Sequence, residues 1–356
     1  MRWNDGSRRR RQRGFVLALT LWILAAIAVV VGLVTLWALD AVRNANAERT
    51  RTEDLVEMRG TRDTLLYLGA TRARTLAGLP VRPLAEDELA RRRLDELGAY
   101  DVNPRGGEIR LDGSAYAGAS GARFAAQDEA GLFSLVAPRP SVVDAMLRSG
   151  GVRDDDVPRL RDALLDYIDA DDLTRLAGAE KRDYARAHLP PPADRQLLLP
   201  SEAMNVLGWS ALPAPLRARV AGTATTFEVG AINLNTAPES LLPLWIPGCP
   251  ATCSQLVERR QRQPFRSGRE VEMTLGVRLP GDAMTDYRFL ASDTWRLTLW
   301  GRSGAARRIH VRFTPLADAA APWSVLAEYP VARPSDDAAA QQTGSDLFAD
   351  SAPARR

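Results

Sequence analysis

Cysteine and histidine are scarce in this 356-residue chain, at two each, and the shortage excludes several classes of protein. Cys249 and Cys253 alone cannot build a disulfide scaffold or a four-cysteine zinc module. A zinc site would need both of them together with His188 and His310, which lie far apart in sequence. Two histidines leave little general-base capacity. No Ser/His/Asp order, glycine-rich phosphate loop or paired metal-ligand helix occurs either. The sequence argues against an enzyme.

An excess of one charge is missing as well. The formal net charge is only +3. Residues 1–14 hold six arginines (Arg2, Arg8, Arg9, Arg10, Arg11, Arg13) against Asp5, a net of +5, so the remaining residues carry −2. A slightly acidic body exerts no general pull on a polyanion such as DNA.

Charge is absent altogether from Phe15 to Leu39. As a helix rising 1.5 Å per residue, this run spans a hydrocarbon core of roughly 30 Å. The arginine cluster before it stays cytoplasmic by the positive-inside rule, so the C-terminal body is translocated. A cleavable secretory signal has an apolar run of roughly 7–15 residues ending at small residues. Here the run is longer and flows into a charged helical pattern from Asp40 onward. Residues 15 to about 77 lack proline, and Pro80 supplies a stop. Leu55, Met58, Arg62, Leu65, Leu66, Leu68 and Leu76 add apolar groups at three- and four-residue spacings. One long helix is expected, apolar at its start and amphipathic at its end.

The junction Arg13-Gly14-Phe15 follows a short basic leader and opens the apolar run. It resembles the type IV pilin and pseudopilin signature. The resemblance implies that a prepilin peptidase cuts between Gly14 and Phe15 and methylates the new amino-terminus. Most family members carry glutamate at the fifth mature position; here that position is Leu19. The K-type minor subunit is the member that lacks this acid. A carboxylate inside a bilayer is costly unless paired, and a subunit at the filament tip has no earlier neighbour to pair with. An apolar residue also simply suits a membrane helix.

Further along, residues 84–98 read as a short helix. Strand-like runs follow from Glu108 to Tyr116 and from Arg123 to Gln127, with glycines at the turns. A helix is expected from Ser141 as N-cap to a stop at Gly150-Gly151. The next, Val157 to Asp169, should bury Leu160, Leu164, Tyr167 and Ile168. Its Leu-Leu-Asp-aromatic-Ile-Asp string, followed by Gly178-Ala179-Glu180 and Tyr184, is similar to the K-type pseudopilin of the type II secretion system. So are Leu198-Leu199-Pro200-Ser201-Glu202, with altered spacing, Ile232-Asn233-Leu234-Asn235-Thr236-Ala237-Pro238, and Gln263-Pro264-Phe265. Trp295 to Trp300 and Ile309 to Phe313 alternate as a hairpin with one buried face, Trp323 to Tyr329 adds a strand, and the tail beyond Arg333 reads as disordered.

This resemblance implies an α+β fold: a long transmembrane and amphipathic helix on a pilin-like antiparallel sheet. Into it is inserted a large all-α domain of SAM or helix-hairpin-helix type. The implied divisions are a cleaved leader at 1–14, a membrane helix at 15–39, and helix plus first strands at 40–140. An inserted domain at 141–275, closing strands at 276–332 and a tail at 333–356 follow. The implied function is that of a minor pseudopilin at the tip of the type II secretion pseudopilus, starting its assembly and supporting export of folded proteins. Partners would be the I- and J-type minor pseudopilins, other pseudopilus subunits, the inner-membrane platform and the prepilin peptidase. The chain would span the inner membrane once, with its body in the periplasm and no nucleic acid bound.

No cofactor is required by this reading, although some K-type relatives bind calcium in the helical domain. Asp169, Asp171, Asp172 and Glu180 are the candidate ligands here; their spacing matches no EF-hand loop, and acids at a helix end also serve as caps. Cys249 and Cys253 stand four apart at the start of a helix, so one turn brings their Cα atoms to about 6 Å, within disulfide range. Three intervening residues do not suit thioredoxin-type chemistry. A rival reading is a membrane-anchored, competence-type DNA-binding protein, because Asn233 to Arg260 imitates a helix-hairpin-helix module. That module grips a phosphate through backbone N–H groups of a Gly-x-Gly loop. Here the loop is Gly248-Cys249-Pro250, and proline has no N–H to donate.

Overall fold

Helix α1 (Arg13–Thr71) runs unbroken for 59 residues. The computed structural model describes residues 13–82, 102–314, 321–334 and 347–348. Most of the basic leader, the helix expected at 84–98 and most of the expected disordered tail lie outside the described residues. All side chains from Phe15 to Arg49 are exposed, and α1 is long and apolar enough to cross a membrane. Further on, Asp54, Met58, Thr61, Leu65 and Leu68 are buried. Steps of four and three place them on one face of the helix. Leu55, expected to contribute to that face, is 48% exposed. The buried position beside it belongs to a carboxylate, Asp54.

The face packs on a five-stranded antiparallel sheet formed by β1 (Asp112–Ala117), β2 (Arg123–Asp128), β7 (Thr294–Trp300), β8 (Ala306–Phe313) and β9 (Trp323–Pro330), in that spatial order. Three contacts seat the helix. Asp54 accepts hydrogen bonds from the backbone N–H of Arg302 at 3.1 Å and of Ser303 at 2.6 Å, in the β7–β8 turn. Thr61 Oγ1 accepts from Ala119 N, between β1 and β2, at 3.0 Å. Gly69 lets the backbone approach Phe313 so closely that a Cβ there would lie 2.4 Å from the ring. Met58, Leu65, Leu66 and Leu68 join Phe124, Trp295, Leu297 and Val311 in a single core.

Between β2 and β7 the chain forms six helices: α2 (Pro140–Ser149), α3 (Val157–Ile168), α4 (Lys181–Arg186), α5 (Ala214–Thr223), α6 (Ala251–Arg262) and α7 (Gly268–Leu275). This region is not all-α. Two short strands, β4 (Ala224–Thr225) and β5 (Ile232–Asn233), lie within it and pair in parallel with β3 (Phe133–Ser134) and β6 (Tyr287–Arg288). A second core holds the helices together, including Leu160, Leu164, Tyr184, Trp209, Leu256 and Phe265.

Three local expectations need correction. Helix α2 starts at Pro140 with Arg139 in the N-cap position, not Ser141. The fixed φ of proline suits the first helical turn and moves the N-cap back by two residues. Ile168 ends α3 only half-buried, unlike Leu160, Leu164 and Tyr167. The β7–β8 hairpin was expected to bury one face, yet every residue of β7 is buried. Trp295, Leu297 and Leu299 meet the core under α1. On the opposite face Arg296 donates to the carbonyls of Gly222 and Ala224, at the end of α5 and in β4. The helical region covers the second face, which no alternation rule foresees.

Burial pushes the Asp54 carboxyl up, but the hydrogen bonds from Ser303 and Arg302 outweigh it and hold the group below its ordinary 3.8. Its stabilisation is therefore complete above that pH and lost as pH falls through the lower folded value. Asp54→Ala should cost about 2 kcal/mol, since it leaves two turn N–H groups without their acceptor. Asp54→Asn should flatten the acid limb of the stability curve. Thermal melts of the detergent-purified chain, followed by near-UV circular dichroism across pH, measure both.

Candidate functional site

Acidic side chains gather where the chain leaves α3. Asp166, fully buried, accepts hydrogen bonds from the backbone N–H of Arg175 at 3.2 Å and of Ala179 at 2.9 Å. It also accepts from the Arg175 guanidinium at 2.5 Å. The loop from Asp169 to Glu180 is thus wound around one carboxylate. Gly178 is part of that winding, because a Cβ there would fall 1.9 Å from Asp166 Oδ2.

The winding brings three carboxylates together. Asp172, Glu180 and Asp194 each offer an oxygen, all within 4.8 Å of one another. Of the four candidate calcium ligands in the sequence, Asp172 and Glu180 are in this group and Asp169 and Asp171 are not. Asp169 pairs with Arg175, and Asp171 accepts from the backbone N–H of Leu173 at 2.8 Å. Both are diverted by local hydrogen bonding of the loop. Asp194 was missed. It follows three prolines, fourteen positions beyond Glu180, and nothing in its local sequence signals a ligand.

Glu180 is the unusual member. It is 5% exposed, and neither of its carboxylate oxygens has a hydrogen-bond partner. Burial, reinforced by the negative charges of Asp166, Asp169, Asp194 and Asp172, pushes its carboxyl up to about 7. Lys181 balances the others: its Nζ lies 2.6 Å from Asp172 and 3.1 Å from Asp194. A set of hard carboxylate oxygens, one of them buried and unpaired, suits calcium and not a soft transition metal.

The remaining sequence-predicted positions lie elsewhere. Gly14 is within α1; Phe15 is 73% exposed and Leu19 48% exposed, on a helix surface that meets no other part of the chain. Cys249 and Cys253 have Cα atoms 5.1 Å apart and their sulfurs are bonded. They tie the Gly248-Cys249-Pro250 loop to the first turn of α6. Pro250 occupies the N-cap of α6, so the position where a DNA module would present a backbone donor has none. His310, read as a conceivable zinc ligand, is instead buried in the sheet with Nδ1 2.6 Å from Glu129 and Nε2 2.9 Å from the Tyr329 hydroxyl.

Residues 126–215, from β2 to the start of α5, match the family model described as "Type II secretion system (T2SS), protein K". That segment, about a quarter of the chain, is similar to the type II secretion system protein K. The acidic group lies within the matched segment, as do the Leu-Leu-Asp-Tyr-Ile-Asp string of α3 and Tyr184. No curated protein matches the chain. Among solved structures, a chain of the GspK-GspI-GspJ complex from the enterotoxigenic Escherichia coli type 2 secretion system is similar at a TM-score of 0.48 and 13% identity. The match covers 82% of this chain and 100% of that one, a likeness too loose to transfer residues.

The raised carboxyl of Glu180 fixes a pH dependence. Its folded value lies above the ordinary 4.5, so the protonated form stabilises the fold fully below 4.5. That contribution is lost as pH rises through about 7. In metal-free buffer the melting temperature should fall over this window, and Glu180→Gln should abolish most of the fall. Differential scanning fluorimetry across pH reads it directly.

Proposed function

We propose that this chain is the minor pseudopilin that caps the type II secretion pseudopilus and starts its assembly, in support of protein export. The observation that carries the reading is α1. One continuous helix has an apolar, exposed first half suited to a bilayer and a second half packed beneath a five-stranded sheet. A filament subunit needs that division: a retractable membrane anchor joined rigidly to a head. The similarity of residues 126–215 to protein K of the type II secretion system agrees with it.

On this reading a prepilin peptidase cuts between Gly14 and Phe15, and the head faces the periplasm. Leu19 at mature position five leaves no carboxylate to be paired in the bilayer, which suits a subunit with no earlier neighbour. The helical region at 141–275 widens the head and would obstruct a copy stacked above it, so one copy sits at the tip. I- and J-type minor pseudopilins are its immediate partners, with the other pseudopilus subunits and the inner-membrane platform below. Catalysis has no part in this role.

Affinity purification from cells with an active prepilin peptidase tests the reading. Mass spectrometry should find an amino-terminus at N-methylated Phe15, and the chain should co-purify with I- and J-type subunits in a one-to-one-to-one complex. An intact Met1 terminus, or regular incorporation of many copies along the filament, would contradict it.

Asp172, Glu180 and Asp194 are the residues that would hold calcium in the helical region, where the ion would supply positive charge to an otherwise unpaired Glu180. Calcium should raise the melting temperature at pH 8, where Glu180 is ionised, and have little effect at pH 5. The rise should reverse with chelator and vanish in Glu180→Gln. An equal rise in the variant would place the ion elsewhere.

A further inference from the structure

Arg260, at the end of α6, is 8% exposed. Nη1 donates to the backbone carbonyls of Leu234 and Ala237, both at 2.7 Å. Its Nε has no partner, and no carboxylate among the described residues pairs with it. Burial lowers its guanidinium to about 10, a sign that the positive charge is poorly compensated. A buried cation is costly unless compensated; the charges of Asp112 and Glu239 offset the burial of Arg260 only in part, and two carbonyls hold its Nη1 while Nε is left over.

Arg260 lines a cleft of about 300 Å³ between the segment after α1, at Leu76 and Ala77, and the end of α6. The acids of the cleft are already engaged. Asp112 is bound by Arg110 and accepts from Ser114 N and Oγ at 3.1 and 2.6 Å. Glu108 accepts from the Arg105 N–H and from Thr75 Oγ1. Arg262 also lines the cleft, is exposed, and has no carboxylate partner among the described residues. Two uncommitted guanidinium groups therefore share one concave site.

We propose that this cleft is an oxyanion-binding site, in which the Arg260 guanidinium binds a carboxylate or phosphate group and Arg262 assists at the rim. The planar fork of arginine matches two oxygens of such a group. A lipid headgroup is too far away. Helix α1 is continuous to Thr71, which is 32 residues past Leu39, or about 48 Å along the axis. The anion is free in solution or is an acidic side chain of another protein. The inference is independent of the tip reading and of the calcium site.

Calorimetric titration of the detergent-purified full chain with inorganic phosphate, against sodium chloride at matched ionic strength, tests it. Saturable one-site binding is expected for phosphate and not for chloride. Losing a charge-assisted pair should weaken it about tenfold in Arg260→Gln, and Arg260→Lys should also weaken it because the fork is lost while the charge stays. Arg262→Gln, at an exposed position, should fold normally and bind phosphate a few-fold more weakly. Phosphate heats no larger than chloride overturn the proposal, and so does wild-type affinity in folded Arg260 variants. If neither Arg260 variant folds, unchanged affinity in Arg262→Gln overturns it. A parallel titration with acetyl-Asp-Glu-Asp-Glu-amide separates the sources. Tighter binding than phosphate assigns the site to a protein carboxylate, and weaker binding assigns it to a free anion.

Discussion

Asp128 stands at the end of β2 with no solvent exposure, and donors from the adjoining turn and from two distant parts of the chain converge on its two oxygens. Oδ1 accepts from Ala130 N, Ser292 N and Ser292 Oγ at 3.1, 3.0 and 2.7 Å. Oδ2 accepts from Asn233 Nδ2 and Thr236 Oγ1 at 2.8 and 2.9 Å. The chain leaves the sheet at Asp128 and returns to it at Ser292, and Asn233 lies in the middle of the excursion. One buried carboxylate thus closes the sheet to the helical region on both sides. A buried charge is tolerable only when its acceptor capacity is filled, and here it is filled by all the segments that must meet.

Around that hub, polar residues repeat the same economy. Asn235 donates to the carbonyls of Phe265 and Phe289 and accepts from Phe265 N, fixing the loop after α6 and the strand at β6. Arg296 reaches from β7 to Glu129 and to the end of α5, while His310 on β8 shares Oε1 of Glu129 with the Arg296 Nε. Burial holds His310 below its ordinary value despite Glu129, and the Arg296 charge leads the effects that keep Glu129 ionised against its own burial. These groups carry little net stabilisation over apolar substitutes, yet they admit only one arrangement of sheet and helices.

The blocks Leu-Leu-Asp-Tyr-Ile-Asp, Gly-Ala-Glu and Ile-Asn-Leu-Asn-Thr-Ala-Pro, which carry the resemblance to the K-type pseudopilin, are largely structural, Glu180 apart. Asp166 organises a loop, Gly178 makes room for it, and Asn233, Asn235 and Thr236 build the hub. Each has a polar or conformational duty at its place. The same strings say little about activity, because their chemistry is directed inward.

By itself, the sequence determined what depends on local pattern. The uncharged run from Phe15 to Leu39, the absence of proline before Pro80 and the three- and four-residue spacing beyond it specify α1. The alternation in β7, β8 and β9 specifies their strands. Tertiary structure decided everything that depends on which distant residue arrives alongside. Asp54 and Arg296 are charged residues in otherwise apolar patterns, and only the β7–β8 turn and the end of α5 reveal why they are buried. Asp194 joins Glu180, and Arg260 lines a cleft with Leu76, across separations for which one sequence contains no signal. Periodicity records the side of an element that faces inward; it does not record what waits there.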